Sequence, residues 1–434
     1  MPHWRRSPDS LVTFRVLWRL LALLFCLQVA FAGVAQEVSR SAVRTSEPDE
    51  AYTIRVPPEA IAYQRWGRVI GLSSTALHLM GLYLLLHCGG ACRLRDTVYR
   101  WLRCSPPQYG HPPALRACAL YFLLYSLVAL TWRFPPTLAR FGLEHAYGFS
   151  RQSLPGLLGD TLLSLLFGMA LVPVLAGGYW LHWRLPRTGW VVAWLALLPL
   201  LVFQSLIYPV FIAPAYHRYT PLPAGELREQ VMELARRAGI PDARILVEDT
   251  SRRTRHVNAY VTGIGPTARI VFNDTALRIL PRDQLLAMTG HEIGHYVEGH
   301  LRVHLMAAAI GAGVFLWGAW RILPLCIRRY GPRWGVQHTY DLAGLPAVLL
   351  VLSGFLLLQS PLESALSRTL ERRADAYGLR LTGLREATAR LFVGFAERDY
   401  TDPDPPRWLH FWFGTHPPLK ERIRFTLTFD ASVR

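Results

Sequence analysis

His291, Glu292 and His295 lie within the run Gly290-His291-Glu292-Ile293-Gly294-His295, and their spacing suits hydrolysis at a metal ion. On a helix, residues four apart stand one turn along the same face, so both imidazoles can reach one cation. Glu292 is turned by roughly 100° from His291. That takes it out of the ligand set and leaves it near enough to accept a proton from a water at the cation. This is the mechanical content of the His-Glu-x-x-His signature of zinc peptidases. Taken alone, the five residues also fit a surface helix with two histidines. The surroundings favour a site: a helix predicted over 284–300 opens just after Pro281 and Asp283, which together make a start signal.

Two histidines do not complete a catalytic zinc site, which ordinarily takes three protein ligands and leaves one position open. A metzincin arrangement would put a third histidine six residues after His295. The chain has Leu301 there, preceded by Glu298 and Gly299-His300. Glu298, on a continuous helix, would struggle to converge with both imidazoles. A more distant stretch, Ser367 to Asp375, offers Glu371 and Asp375 one helical turn apart. One of these carboxylates can bind metal while the other orients a ligand histidine. Without the histidine motif, the same pair would pass for charges on a helix surface.

These residues must be held by a chain dominated by apolar runs. Stretches near 69–88, 114–132, 156–182, 189–214, 303–327 and 342–362 are each long enough to cross a bilayer, which takes about 20 residues. A seventh, 15–33, follows Arg5, Arg6, Arg15 and Arg19 and ends in Ala30-Phe31-Ala32. It reads equally as a cleaved signal peptide or as a first spanning helix. Two polar blocks interrupt this scaffold. The first, 215–302, is predicted to hold an amphipathic helix over 225–238, strands near 244–248, 256–263 and 268–273, and the histidine-bearing helix. The second, 363–434, is predicted to hold helices over 363–382 and 384–398, then a Pro-rich loop leading to His416-Pro417-Pro418. The expected organisation is therefore 1–33 as signal peptide or first helix, and 34–214 as a membrane domain of four spanning helices. Residues 215–434 follow as a metallopeptidase domain interrupted by spans at 303–327 and 342–362. The fold class is an α-helical multi-pass membrane protein, with six or seven spanning helices, carrying a small α+β lobe.

Composition agrees. Hydrophobic residues make up 51% of the chain and charged ones only 18%, a balance suited to a membrane protein more than to a soluble enzyme. The formal charge of +17 raises the question of nucleic acid. The basic residues, however, are almost all arginines sitting in connections between apolar runs, and Lys420 is the only lysine. No nucleic-acid partner is expected, and the arginine bias points to a GC-rich bacterial source and its cytoplasmic membrane. Arginines in short connections mark the cytoplasmic side: Arg93, Arg95, Arg100 and Arg103, then Arg184 and Arg187, then Arg328, Arg329 and Arg333. That count places both polar blocks on the opposite side. Cys88, Cys92 and Cys104 cluster in one connection where a disulfide would need an oxidising compartment; the six cysteines form no zinc pattern.

Several separated stretches carry a family resemblance. They are Val56-Pro57-Pro58-Glu59, Glu144 to Ser153 with Asp160, Tyr219 to Pro223, His256 to Tyr260, the histidine helix ending Glu298-Gly299-His300, the Glu371–Asp375 stretch, and His416 to Ile423. In this order, over roughly 55–425, the chain resembles the CAAX prenyl protease type 1 family, the integral-membrane zinc metallopeptidases that include the a-factor-converting enzymes. The resemblance implies a ring of spanning helices around a chamber, closed at one end by the peptidase lobe. It implies one zinc per chain held by His291, His295 and Glu371, with Glu292 as general base and acid and Asp375 orienting a ligand. It implies that Asn258-Ala259-Tyr260 is an edge strand pairing with an extended polypeptide substrate, a use that strand-type residues ahead of the helix would suit. It implies that His416 stabilises the oxyanion or donates a proton, and that Arg422 is associated with a substrate carboxylate. The expected activity is peptide-bond hydrolysis, in processing or quality control of membrane-associated polypeptides within the lipid bilayer. The alternatives are maturation of one specific, lipidated or unlipidated partner, or a catalytically idle membrane scaffold. Oligomeric state is not legible.

Overall fold

The computed structural model describes residues 52–104, 111–207, 212–263 and 267–430. The apolar run at 15–33, with its two readings, lies outside them. Helices come first: α1 (Pro58–His87), α2 (Gly90–Trp101), α3 (Leu115–Ala146), α4 (Leu154–Met169), α5 (Val172–Arg184), α6 (Gly189–Ile207) and the short α7 (Ala213–Tyr216). The lobe begins with β1 (Tyr219–Pro221), α8 (Glu226–Arg237), β2 (Arg244–Glu248), β3 (Ala259–Thr262), β4 (Arg269–Asn273), α9 (Asp274–Ile279) and α10 (Arg282–Val297). Two long helices follow, α11 (His300–Trp334) and α12 (Leu345–Thr382), and then α13 (Arg385–Glu397), α14 (Arg407–Phe413) and α15 (Leu419–Thr428).

Among the described residues, five helical segments are long and apolar enough to cross a membrane: α1, α3, α4 with α5, α11, and α12 with the turn before it. The apolar part of α6, Gly189–Phe203, is shorter. All six apolar stretches expected from the sequence thus form helices among the described residues, and the protein is multi-pass. The membrane part has its own core, in which Tyr121, Leu82, Leu86 and Leu342 are almost wholly buried. The described cysteines Cys88, Cys92, Cys104, Cys118 and Cys326 are free, so the connection at 88–104 holds no disulfide. Arg95 of α2 donates to the Gly335 carbonyl at 3.0 Å and to Asp341 at 2.7 Å. Two of the arginine-rich connections therefore meet at one end of the bundle.

The lobe sheet has strand order β1-β2-β4-β3, with β2 and β4 parallel and both outer pairs antiparallel. The parallel pair requires a crossover, and β3, laid down between β2 and β4 in sequence, is left at an edge. β1 is a strand the sequence did not announce, because three residues are too few to show alternation. α8 forms because Val231, Leu234 and Ala235 give it one apolar stripe for the lobe core. Its acidic first turn (Glu226, Glu229) and basic last turn (Arg236, Arg237) also suit the helix dipole. With Val231, Ile270, Phe272 and Ile293 at 0% exposure, this core runs from α8 through the sheet to α10.

Two features position the site. α10 stops at Val297 because Gly299 takes a left-handed conformation (φ 69°), and α11 starts at His300 and runs on as a membrane span. α12 is one unbroken helix of 38 residues, about 57 Å long, apolar at its start and polar where it enters the lobe. The sequence divides it into a span and a separate helix where its hydropathy changes; the backbone does not break there. Both stretches that carry candidate ligands are therefore continuous with, or two residues away from, helices in lipid.

A polar cluster ties the lobe to the bundle. The ring of His256 stacks on Phe149 with centroids 4.5 Å apart, and stands 3.2 Å from Asp399 and 3.5 Å from Glu144 of α3. Tyr63 of α1 donates to Glu144 at 2.8 Å. Burial alone would lower the pKa of His256, but the carboxylates of Asp399 and Glu144 outweigh it and push it up to about 9. A histidine raised in the folded state stabilises fully below its unfolded value, near 6.5, and loses that contribution as pH rises through about 9. The thermal midpoint in detergent is therefore expected to fall between pH 6.5 and 9.5. In His256→Gln that fall should flatten, and an equal slope in wild type and variant would show that the contact contributes nothing.

Candidate metal centre

α10 and α12 cross at close range, and the crossing builds the site. Their contact is lined by Gly290 and Gly294 on one helix and by Ala374 and Gly378 on the other. The His291 and His295 side chains leave α10 toward the face of α12 that carries Glu371 and Asp375. The two Nε2 atoms stand 3.1 Å apart. His291 Nε2 is 3.4 Å from Glu371 Oε2, and His295 Nε2 is 3.3 Å from Glu371 Oε1. Among the described residues, His291, His295 and Glu371 form a group able to hold a metal ion.

The donor set fits a zinc-sized cation. Ligands about 2.0–2.1 Å from a tetrahedral ion lie roughly 3.3–3.4 Å from one another, close to the separations found here. Glu371 is 6% exposed, and its Oε2 has no hydrogen-bond partner among the described residues. A buried carboxylate oxygen with no donor is a costly feature unless a cation completes it. The electrostatics point the same way. Burial would lower the pKa of His291, yet the Asp375 and Glu371 carboxylates raise it to about 10. The two carboxylates thus favour positive charge in the pocket.

Asp375 sits behind His291 rather than beside Glu371. Its Oδ1 is 2.9 Å from His291 Nδ1, so it faces the nitrogen turned away from the ligand group. Arg422 of α15 holds it in a two-pronged grip, Nε to Oδ2 at 2.8 Å and Nη2 to Oδ1 at 2.6 Å. The guanidinium lies 4.2 Å from the centroid of the Phe392 ring and is 3.7 Å from Glu371 Oε2. Arg422 is 6% exposed. The structure therefore places this arginine in contact with Asp375, buried behind the ligands, with its fork already filled by a carboxylate of the chain itself. Burial raises Glu292 above the ordinary carboxylate range, against the opposing pull of His291 and His295. Glu298, the acidic residue just after the motif, ion-pairs with Arg373 of α12.

His416 reaches the site from the loop before α15. Its Nε2 is 3.3 Å from Glu371 Oε1, and its side chain is 57% exposed. The Thr415 hydroxyl lies 3.0 Å from its Nδ1. Of the three residues expected on an edge strand, Ala259 and Tyr260 are in β3, and Asn258 just precedes it, its carbonyl accepting from the Asn273 amide at 3.0 Å. β3 pairs only with β4 among the described strands and packs against α10. The Tyr260 hydroxyl is engaged inside the lobe, donating to Glu248 at 3.0 Å. Sequence reasoning did not anticipate the glycine crossing or the contact of His300 with His295 described below. In both cases the signal was present but local spacing could not reveal the partner.

Two family models match the chain. One, described as CAAX prenyl protease N-terminal, five membrane helices, matches residues 59–218; the other, peptidase family M48, matches 221–428. An uncharacterized metalloprotease, YhfN, of Bacillus subtilis is 35% identical over 246 residues, covering 57% of this chain and 58% of that protein. A CAAX prenyl protease 1 homolog of Dictyostelium discoideum is 30% identical over 294 residues, covering 65% and 66%. The chain thus spans 58% and 66% of the lengths of these relatives. The crystal structure of Ste24p from S. mikatae matches with a TM-score of 0.77 at 20% identity, over 98% of this chain and 100% of that one. At that identity the likeness is one of fold.

Proposed function

This chain belongs to peptidase family M48 with the membrane region of the CAAX prenyl proteases, and on that premise we propose that it is a membrane-embedded zinc metalloendopeptidase. The observation that carries the reading is the convergence of His291, His295 and the buried Glu371 carboxylate across the α10–α12 crossing. His291, His295 and Glu371 would hold the ion. Zinc bound there supplies Lewis acidity and brings the pKa of water toward about 7.

The chain's own residues do the rest. Asp375, itself held by Arg422, stands 2.9 Å from His291 Nδ1 and would orient that ring by its charge so that Nε2 faces the site. Glu292 takes a proton as water attacks the scissile carbonyl and returns it to the leaving amine. His416, exposed at the mouth of the site and 3.3 Å from Glu371, is placed to stabilise the developing oxyanion or to donate a proton. The open edge of β3, with Asn258, Ala259 and Tyr260, would pair with an extended polypeptide by backbone hydrogen bonds. Arg422 acts on substrate only through Asp375 in this reading.

Substrates are proposed to be membrane-associated polypeptides in processing or quality control, in a bacterial cytoplasmic membrane, with no nucleic-acid partner. The arginine bias and the Bacillus relative support the source. The idle-scaffold alternative would predict a degraded site, whereas every ligand position is filled and convergent. Purified protein is expected to carry one zinc per chain and to cleave casein or an unstructured peptide. Chelation should abolish cleavage and added zinc should restore it; cleavage that survives complete metal removal would overturn the assignment.

A further inference from the structure

His300 is a buried imidazole beside the site that the chemistry above leaves unused. It is 2% exposed, and its Nδ1 lies 2.8 Å from Nδ1 of His295 with the two rings nearly perpendicular. Its Nε2 is buried and has no partner among the described residues. Spacing alone would keep these two side chains apart. Five residues on a continuous helix amount to about 500° of rotation, which leaves them roughly 140° apart around the axis. The left-handed turn at Gly299 ends α10 and redirects the chain, so that the first residue of α11 returns to the back of His295.

The hydrogen in this contact can be assigned from the geometry. His295 directs Nε2 at Glu371 and His291, so that nitrogen offers its lone pair to an ion and the ring proton must sit on Nδ1. His300 then accepts through the lone pair of its own Nδ1 and carries its proton on the unpartnered Nε2. We propose that His300 is a positioning residue for the metal ligand His295, locking its tautomer and ring orientation as a neutral acceptor. The proposal rests on the zinc-peptidase reading. The two ligand histidines are thus supported unequally: His291 from behind by a carboxylate locked to an arginine, His295 by an uncharged ring. The orphaned Nε2–H is hard to explain as packing, because a buried donor without a partner works against stability. It is explained if the site needs an acceptor there that adds no second negative charge beside Glu371.

The test compares the full-length protein in detergent with His300→Leu and His300→Gln, measuring zinc affinity against a competing chelator and the visible spectrum of the cobalt-substituted site. Loss of a partner that orients a ligand costs about 10–100-fold in metal affinity. His300→Leu is expected to lose that much and to alter the cobalt spectrum. Its metal-free thermal midpoint should change little, since the orphaned donor of His300 is exchanged for a His295 Nδ1–H left without its acceptor. His300→Gln, whose amide oxygen can still accept, should stay within about threefold of wild type. Wild-type affinity in His300→Leu, or equal loss in both variants, would overturn the proposal. A wild-type chain that takes up no zinc would overturn the reading beneath it and this inference together.

Discussion

Glu292→Gln is expected to lower peptide cleavage by about 10²–10⁴-fold while leaving zinc bound at one per chain. The amide keeps the shape of the carboxylate but cannot take a proton, and Glu292 is absent from the ligand group formed by His291, His295 and Glu371. Its carboxyl is already destabilised as an anion by burial, which outweighs the opposing pull of His291, His295 and Arg422. Neutralising it should therefore cost the fold little. His291→Ala is the contrast, since it should lose metal and activity together. Initial rates and metal content of the two variants separate a proton carrier from a ligand. Loss of zinc from Glu292→Gln would show that the carboxylate holds the site together instead of serving it. The same variant is a substrate trap, and polypeptides recovered with it should include unlipidated ones. Recovery of lipidated peptides alone would overturn the proposed substrate class.

The parts of this molecule that were legible in sequence are those governed by short-range geometry. His291, Glu292 and His295 are set by one helical turn, and α10 did fold as a helix over them. β2 and β4, with unbroken runs such as Ile245-Leu246-Val247 and Ile270-Val271-Phe272, also formed close to where they were expected. Relations between distant segments were not legible. Glu371 and Asp375 are equivalent by spacing, and their division into a carboxylate facing the imidazoles and one behind them depends on how α12 is rotated against α10. Arg422 carried the expectation of a substrate carboxylate, yet it grips Asp375, 47 positions away. No pattern within the 416–423 stretch could have disclosed that partner. α12 was divided at the change in hydropathy because composition reports the surrounding medium, whereas a helix passes from lipid to lobe without altering its hydrogen bonds.

Gly378→Val is expected to weaken zinc binding by more than about 100-fold and to abolish cleavage, although Gly378 touches neither metal nor substrate. A Cβ added at Gly378 would lie 2.8 Å from the His291 amide nitrogen and 3.0 Å from the Gly290 carbonyl carbon. These are backbone atoms of α10 and cannot rotate aside. Gly294, on the opposite helix, is nearly as tight, its Cβ falling 3.0 Å from the Ala374 carbonyl oxygen and 3.2 Å from Ala374 Cα. Glycine inside a helix costs roughly 0.5–1 kcal/mol relative to alanine, so three of them at one crossing indicate that close approach is what the position requires. A valine there must push α12 off α10. Overpacking of this kind costs about 1–3 kcal/mol, which the fold can survive. Metal binding is less forgiving, because ligand distances must hold to within about 0.2 Å, and Glu371 moves with α12 while both imidazoles stay with α10. Gly354→Ala provides the control: it lies on the same helix, a Cβ there meets nothing within 4 Å, and zinc affinity should not change. Equal zinc affinity in Gly378→Val and wild type would mean that the ligand triangle is set by something other than this crossing. With Gly378→Val folded but metal-poor, the third ligand's place would be a property of the helix pair, and the His-Glu-x-x-His motif would be only half of a site that α12, continuous with a membrane span, completes.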